Sequence, residues 1–284
     1  MYPFSSSNHS ETVQSLKNLT RECRADILEM LEKAGSGHPG GSLSAIDIIA
    51  TLFFTEMKMD PQNSQWEDRD RFILSKGHGV PALYSVLEKK GAIKREDLWT
   101  LRKINSKLQG HPDRVMVPFV EASTGSLGQG ISIAQGIALG LKLQKKSARV
   151  FCLMGDGEIQ EGQVWETAMS APKFKLGNLV VFIDNNNGQI DGHVEQVMDL
   201  RPLADKWRAF RWAVHEIDGH NFDQIITALE SARNESERPT CIVAKTVKGK
   251  GVSFMENNID WHGVTPNKEQ LQKALSELRG GKSQ

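Results

Sequence analysis

Arg149-Val150-Phe151-Cys152-Leu153-Met154 runs straight into Gly155-Asp156-Gly157, and this stretch decides the fold. Past Arg149 the run is apolar on both faces, the pattern of a strand covered above and below. A second such run, LVVFI at 179–183, precedes Asn185-Asn186-Asn187-Gly188, so that Asn186 follows Asp156 by 30 residues. TCIVAK at 240–245 and the segment 212–217 read as later strands, and 71–74 as a weaker one. Helical patterns lie between them. Residues 11–34 place Val13, Leu16, Leu19, Cys23, Ile27, Met30 and Leu31 at three- and four-residue steps. Further helices are expected at about 43–57, 80–89, 131–143, 158–171 and 222–233, with 131–143 rich in Ala and Gly and so closely packed. Buried strands alternating with helices predict an α/β fold, a parallel sheet with helices on both faces. A single domain over 1–284 is expected, with polar ends at 1–10 and 280–284 that fray.

Composition narrows the function classes. At 284 residues a globular chain buries roughly 75% of its unfolded surface and needs no disulfides. Lys plus Arg (35) equals Asp plus Glu (35), so the basic excess of a nucleic-acid binder is missing. Cys23, Cys152 and Cys241 are far apart and flanked by apolar residues, which predicts buried thiols in a reducing compartment. No apolar stretch is long enough to span a membrane, and the first ten residues lack a signal pattern. The expected location is the cytoplasm.

Ligands of open α/β sheets bind beyond the carboxyl ends of the strands. If strands 149–154 and 179–183 are parallel neighbours, Asp156 and Asn186 open on one edge. Gly155 and Gly157 let the backbone approach a phosphate, and the helix that follows offers its N-terminus to anionic oxygens. One carboxylate, one amide oxygen and one main-chain carbonyl leave octahedral positions of Mg²⁺ for diphosphate oxygens and water. Alone, Gly-Asp-Gly is an ordinary turn and the Asn run an ordinary polar loop; their joint placement after two buried strands is what points to a site.

Four histidines sit in Gly- or Pro-containing loops: His38 (SGHPGG), His78 (SKGHG), His111 (QGHPD) and His262 (DWHG). One such residue is usually a packing or capping histidine. Four suit contact with sugar hydroxyls and proton exchange near neutral pH. The loop 123–130, STGSLGQG, leads into a helix, a feature that close helix packing explains equally well. Lys76 could meet a phosphate, although solvation is the ordinary fate of a lysine. Glu158 and Glu161 open a helix, where carboxylates favour the N-terminal dipole.

These segments resemble the thiamine-diphosphate enzymes and, among them, the transketolases. SGHPGGSLS (36–44), SKGHG (75–79), GHP (110–112), TGSLGQG (124–130), GDGEIQEG (155–162), KTVKGKG (245–251) and WHG (261–263) stand in the family order over nearly the whole chain. The resemblance implies a thiamine-diphosphate-binding fold with Mg²⁺, replaceable by Ca²⁺ or Mn²⁺, held by Asp156, Asn186 and the carbonyl of Gly188. It implies cofactor contacts from Lys76, His78, Gly125, Ser126, Leu127, Gly155, Asp156, Gly157, Glu158, Asn186, Gln189, Lys245 and His262. His38, His78, His111 and His262 would act on substrate, and Glu161 would join a carboxylate network crossing a subunit interface.

The family's chains continue into a second domain, which grips the aminopyrimidine, and a third. A chain ending at Gln284 therefore resembles the N-terminal subunit of a split transketolase. The implied activity moves a two-carbon ketol unit from a ketose phosphate to an aldose phosphate. The implied partner is a C-terminal, pyrimidine-binding subunit in an α2β2 heterotetramer, with no nucleic-acid or membrane partner. Other members of the cofactor class remain alternatives: a deoxyxylulose-phosphate synthase or the α subunit of a 2-oxoacid dehydrogenase. So does a non-catalytic cofactor-binding or regulatory partner, although all four loop histidines are retained.

Overall fold

The computed structural model describes residues 8–280. In chain order they form α1 (His9–Ala34), α2 (Pro39–Thr51), β1 (Arg71–Leu74), α3 (Val80–Lys89), α4 (Arg95–Leu98), α5 (Gln129–Leu143), β2 (Val150–Gly155), α6 (Gly162–Lys173) and β3 (Leu179–Asn185). There follow β4 (Gly188–Gln189), β5 (Gly192–His193), α7 (Val194–Val197), α8 (Leu203–Ala209), β6 (Ala213–Asp218), α9 (Phe222–Asn234), β7 (Thr240–Lys245) and α10 (Lys268–Leu278). The main sheet has the order β1-β2-β3-β7-β6 with every pair parallel. β4 and β5 make a separate two-residue hairpin.

The period-2 geometry of the strands divides the interior in two. Phe72, Leu74, Phe151, Leu153, Val180, Phe182 and Ile242 face one core, which α1, α2, α3, α9 and α10 close. Ile73, Val150, Cys152, Met154, Val181, Ile183 and Cys241 face the other, closed by α5, α6 and α8. This is the α/β fold with helices on both faces that the apolar runs predict. All three cysteines are free and buried. Among the described residues no helix is long and apolar enough to cross a membrane.

Several boundaries differ from expectation. Helix α2 starts at Pro39, not at 43, and gives way at Leu52 to a π-helical turn ending at Glu56. Every residue of α2 is buried, and helices apolar or small all round are those enclosed by the rest of the fold. The expected helix 158–171 splits into a 3₁₀ turn at Glu158–Gln160 and α6 from Gly162. The helix N-terminus therefore lies six residues beyond Asp156. In α5, Ala134 and Ala138 are buried, but a Cβ at Gly136 or Gly140 would meet nothing within 4 Å, so those glycines do not serve close packing. The frayed N-terminus does not extend to residue 10. Asn8 caps α1 by accepting from Ser10 N at 3.1 Å, and His9 and Ser10 are helical. The rest of that expectation, at 1–7 and 281–284, falls outside the described residues.

Candidate active site

Strand register sets the site. Gly155 of β2 pairs with Asp184 of β3, and Asn185 of β3 pairs with Lys245 of β7. The three strands thus end almost level, and the loops after them meet at one edge. A cavity of about 300 Å³ opens there. His38, His78, His111 and His262 line it with Lys76, Gly125 and Leu127. Gly155, Asp156, Gly157, Glu158, Glu161, Asn186, Gly188 and Gln189 line it too. Two expected residues do not. Ser126 is exposed and outside the lining. Lys245, at the last position of β7, faces an adjoining crevice of about 460 Å³ beside Asp199 and Arg201, which shares Asp156 and Asn186 with the cavity. Lys248, Gln160 and Ile190 line the cavity without having been singled out from the sequence.

The four imidazoles form one cluster around His38. Its ring centroid lies 5.2 Å from His78, 5.6 Å from His262 and 6.2 Å from His111, and His78 stacks on His262 at 5.4 Å. Burial lowers the pKa of all four, and nearby cations lower it further. Arg102 helps bring His38 down to about 4, and Lys248 helps bring His262 down to about 3. Neutral rings can each donate and accept one hydrogen bond. The Nδ1 of His38 is buried and has no hydrogen-bond partner among the described residues.

Beneath the cavity lies an ion pair the sequence does not reveal. Lys76, 1% exposed, donates from Nζ to Asp184 Oδ2 at 2.5 Å and to Gly41 O at 3.0 Å. It is neither solvated nor free to reach far. A Cβ at Gly41 would lie 3.2 Å from that ammonium, a tight contact that glycine avoids. Asp184 also accepts from Ser44 Oγ at 2.6 Å and from Thr246 Oγ1. Burial would raise its pKa, but Lys76 and these donors win and lower it.

Glu158 does not sit at a helix dipole. One of its carboxylate oxygens accepts from Gly128 N at 3.0 Å and from Ser75 Oγ, the other from Gly155 N at 3.1 Å. It brackets three loops together, and burial pushes its pKa up. Glu161 is exposed at the N-cap of α6. Gln189 donates to Gln160 Oε1 at 3.1 Å.

Asp156 is a buried carboxylate with no cation in direct contact among the described residues, although Lys76 and Lys248 act on it from further off. It is 2% exposed and makes no ion pair among the described residues. Burial and the neighbouring Asp184 push its pKa up to about 7, although Asn187 N and Gly157 N donate to it at 2.5 and 2.9 Å. Asn186 donates from Nδ2 to Ser44 Oγ at 3.1 Å, which turns its Oδ1 the other way, where it accepts from Gly188 N at 3.0 Å. Among the described residues no three His, Cys, Asp or Glu side chains converge as a metal site. A cation here would depend on one carboxylate with amide and main-chain oxygens, a hard-oxygen set that suits Mg²⁺ or Ca²⁺ and would put a positive charge in contact with Asp156.

A buried, unpaired carboxylate beside loop amides and neutral imidazoles, at the carboxyl edge of a parallel sheet, defines the class: a cofactor-binding α/β domain. Residues 15–280 match the family model described as the transketolase thiamine diphosphate binding domain. The chain is 43% identical over 269 residues to a 6-deoxy-6-sulfo-D-fructose transketolase subunit of Clostridium sp. (strain MSTE9), covering 95% of this chain and 98% of that one. It is 41% identical over 266 residues to one subunit of the apulose-4-phosphate transketolase of Phocaeicola vulgatus, covering 94% of each. The solved transketolase of Campylobacter jejuni superposes with a TM-score of 0.89 at 34% identity over 94% of this chain, but over only 43% of that longer one. The chain belongs to the transketolase family and is its thiamine-diphosphate-binding domain.

Proposed function

We propose that the chain is the diphosphate-binding subunit of a two-subunit transketolase. Its match to separate transketolase subunits over almost their full length carries this reading. The partner is a pyrimidine-binding C-terminal subunit, and the working assembly is an α2β2 heterotetramer in the cytoplasm. Asp156, Asn186 and the main chain of Gly188 would hold Mg²⁺, with Ca²⁺ or Mn²⁺ able to replace it. The burial of Asp156, whose pKa stays raised despite Lys76, supports this placement. Bound thiamine diphosphate supplies a nucleophilic carbon and an electron sink for cleaving a ketose phosphate and passing two carbons to an aldose phosphate, as in pentose phosphate metabolism.

The chain's own residues bind, orient and move protons. Gly155, Gly157 and Gly125 keep the cavity wall free of side chains. Lys248, 2% exposed, stands 3.1 Å from His262 Nδ1 and 3.5 Å from Gly188 O, a cation at the diphosphate end. His38, His78, His111 and His262 are neutral at pH 7 and meet the sugar's hydroxyls as donors or acceptors. Exposed Glu161 is left to the subunit interface. The test is reconstitution. The purified chain, the partner subunit, Mg²⁺ and thiamine diphosphate together should transfer a ketol unit, and neither chain alone should. Normal turnover by this chain alone would refute the division of labour.

A further inference from the structure

The loop that carries Lys248, residues 246–251, is held from behind by groups that do not line the cavity. Val247 N donates to His220 Nε2 at 2.9 Å. Because that nitrogen accepts, the ring's proton is on Nδ1, which donates to Asp47 Oδ2 at 2.7 Å. Arg24 closes the set, donating to Asp47 from Nη1 at 3.0 Å and from Nη2 at 2.7 Å, and from Nε to Lys250 O at 2.9 Å. One carboxylate thus anchors two grips, one on the N–H of Val247 and one on the carbonyl of Lys250, on either side of Lys248. All three side chains are nearly enclosed, at 8%, 5% and 12% exposure for Arg24, Asp47 and His220. Burial would raise the Asp47 carboxyl, but Arg24 and His220 outweigh it and hold it down to about 2, so the anchor stays charged. The loop is also pressed close: a Cβ at Gly251 would lie 2.9 Å from Arg24 Cδ.

We propose that His220, backed by Asp47 and Arg24, is a positioning residue that fixes the 246–251 loop and so sets the Lys248 ammonium against His262 and the Gly188 carbonyl. The kinetic consequence rests on the transketolase reading; the structural one does not. His220→Ala removes the grip on Val247. His220→Gln keeps it, because a side-chain amide can accept from Val247 N–H and donate to Asp47. Three readouts separate the outcomes: hydrogen exchange of the 246–251 amides in the chain alone, Mg²⁺–thiamine diphosphate affinity by calorimetry, and kcat and KM with the partner subunit.

In His220→Ala the loop amides should exchange at least about tenfold faster. Cofactor affinity or kcat/KM should fall about 10- to 100-fold, the usual cost of losing a group that orients a site from behind. His220→Gln should restore both. Unchanged loop exchange in the Ala variant, or a Gln variant as impaired as Ala, overturns the proposal. If Ala prevents folding, wild-type exchange in the Gln variant supports it and faster exchange there overturns it. A wild-type chain that binds no cofactor refutes the transketolase reading instead, and the exchange measurement still decides the clamp.

Discussion

Asp156→Asn should make the cofactor-free protein more stable at pH 8 while abolishing its response to the cofactor. The Asp156 carboxyl moves from 3.8 to about 7 because burial and Asp184 disfavour its charge. That is about three powers of ten in proton affinity, so holding it ionised costs about 4 kcal/mol at 1.36 kcal/mol per tenfold. For a group whose folded pKa is raised, the stability contribution is fully present below the unfolded value, here 3.8. It is lost as pH climbs through the folded value, here about 7. Asparagine removes that loss. It also keeps only one oxygen where two serve Gly157 N and Asn187 N, and an orphaned buried donor costs about 1–3 kcal/mol.

The net gain at pH 8 is about 1–3 kcal/mol, or roughly 2–10 °C in melting temperature. Near pH 4 the wild-type carboxyl is neutral and the advantage disappears. With Mg²⁺ and thiamine diphosphate at about 1,000 times Kd the wild type gains about 4.1 kcal/mol, and the variant gains none. The two proteins should therefore exchange order when ligand is added. Melting curves in chelator and in Mg²⁺ plus thiamine diphosphate, at pH 4.5 and pH 8, measure all four corners. A variant that is less stable than wild type in chelator at pH 8, by the same amount as at pH 4.5, would show that Asp156 is not an unpaired buried charge.

Two further predictions concern other parts of the molecule. Trp207 is fully buried against Trp165 and Trp212, but its Nε1 has no hydrogen-bond partner among the described residues. Trp207→Ala should cost about 3–5 kcal/mol in urea denaturation, whereas Trp207→Phe, which sheds an orphaned donor worth about 1–3 kcal/mol, should cost clearly less; equal costs would contradict this. His38 and His262, brought to about 4 and about 3 by burial and nearby cations, should keep neutral rings down to pH 5 in an NMR titration. Depressed folded values mean their contribution to stability is present above 6.5 and is lost as pH falls through about 4 and 3. A titration midpoint at 6.5 for either ring would refute the electrostatics of the cluster.

The architecture is legible in the sequence wherever a strand is apolar on both faces. β2, β3 and β7 stand within one or two residues of their expected spans because both cores need their side chains. The edge strand β6 is shifted by one residue, and α8 is not anticipated, since only Ala204 and Trp207 of its seven residues are buried and no periodic run shows. The helix expected at 158–171 illustrates a competition: Glu158 would suit a helical first turn, but its carboxylate is taken by Gly128, Gly155 and Ser75, which hold it in a 3₁₀ turn before α6 begins.

The site divides in the same way. Asp156 and Asn186 can be found from the sequence because each lies one residue past the end of a buried strand, where chain direction alone fixes the edge. KTVKGKG shows where that logic stops. Lys245 is the first cation after the strand's apolar run, yet as the last residue of β7 its side chain is bound to the pleat, and it faces the outer crevice. Lys248 reaches the cavity only because the chain turns back after it, through left-handed Gly249 and Gly251 at φ +78° and +97°. The turn is held by Gly249 N donating to Gly40 O at 3.0 Å and by the grips of His220 and Arg24. The His220 and Arg24 grips join residues 27 and 226 positions apart in sequence. A lysine whose position depends on contacts of that range cannot be told from its neighbour by local pattern. The same contacts make the loop testable, since weakening one remote grip should move the ammonium without touching the cavity wall.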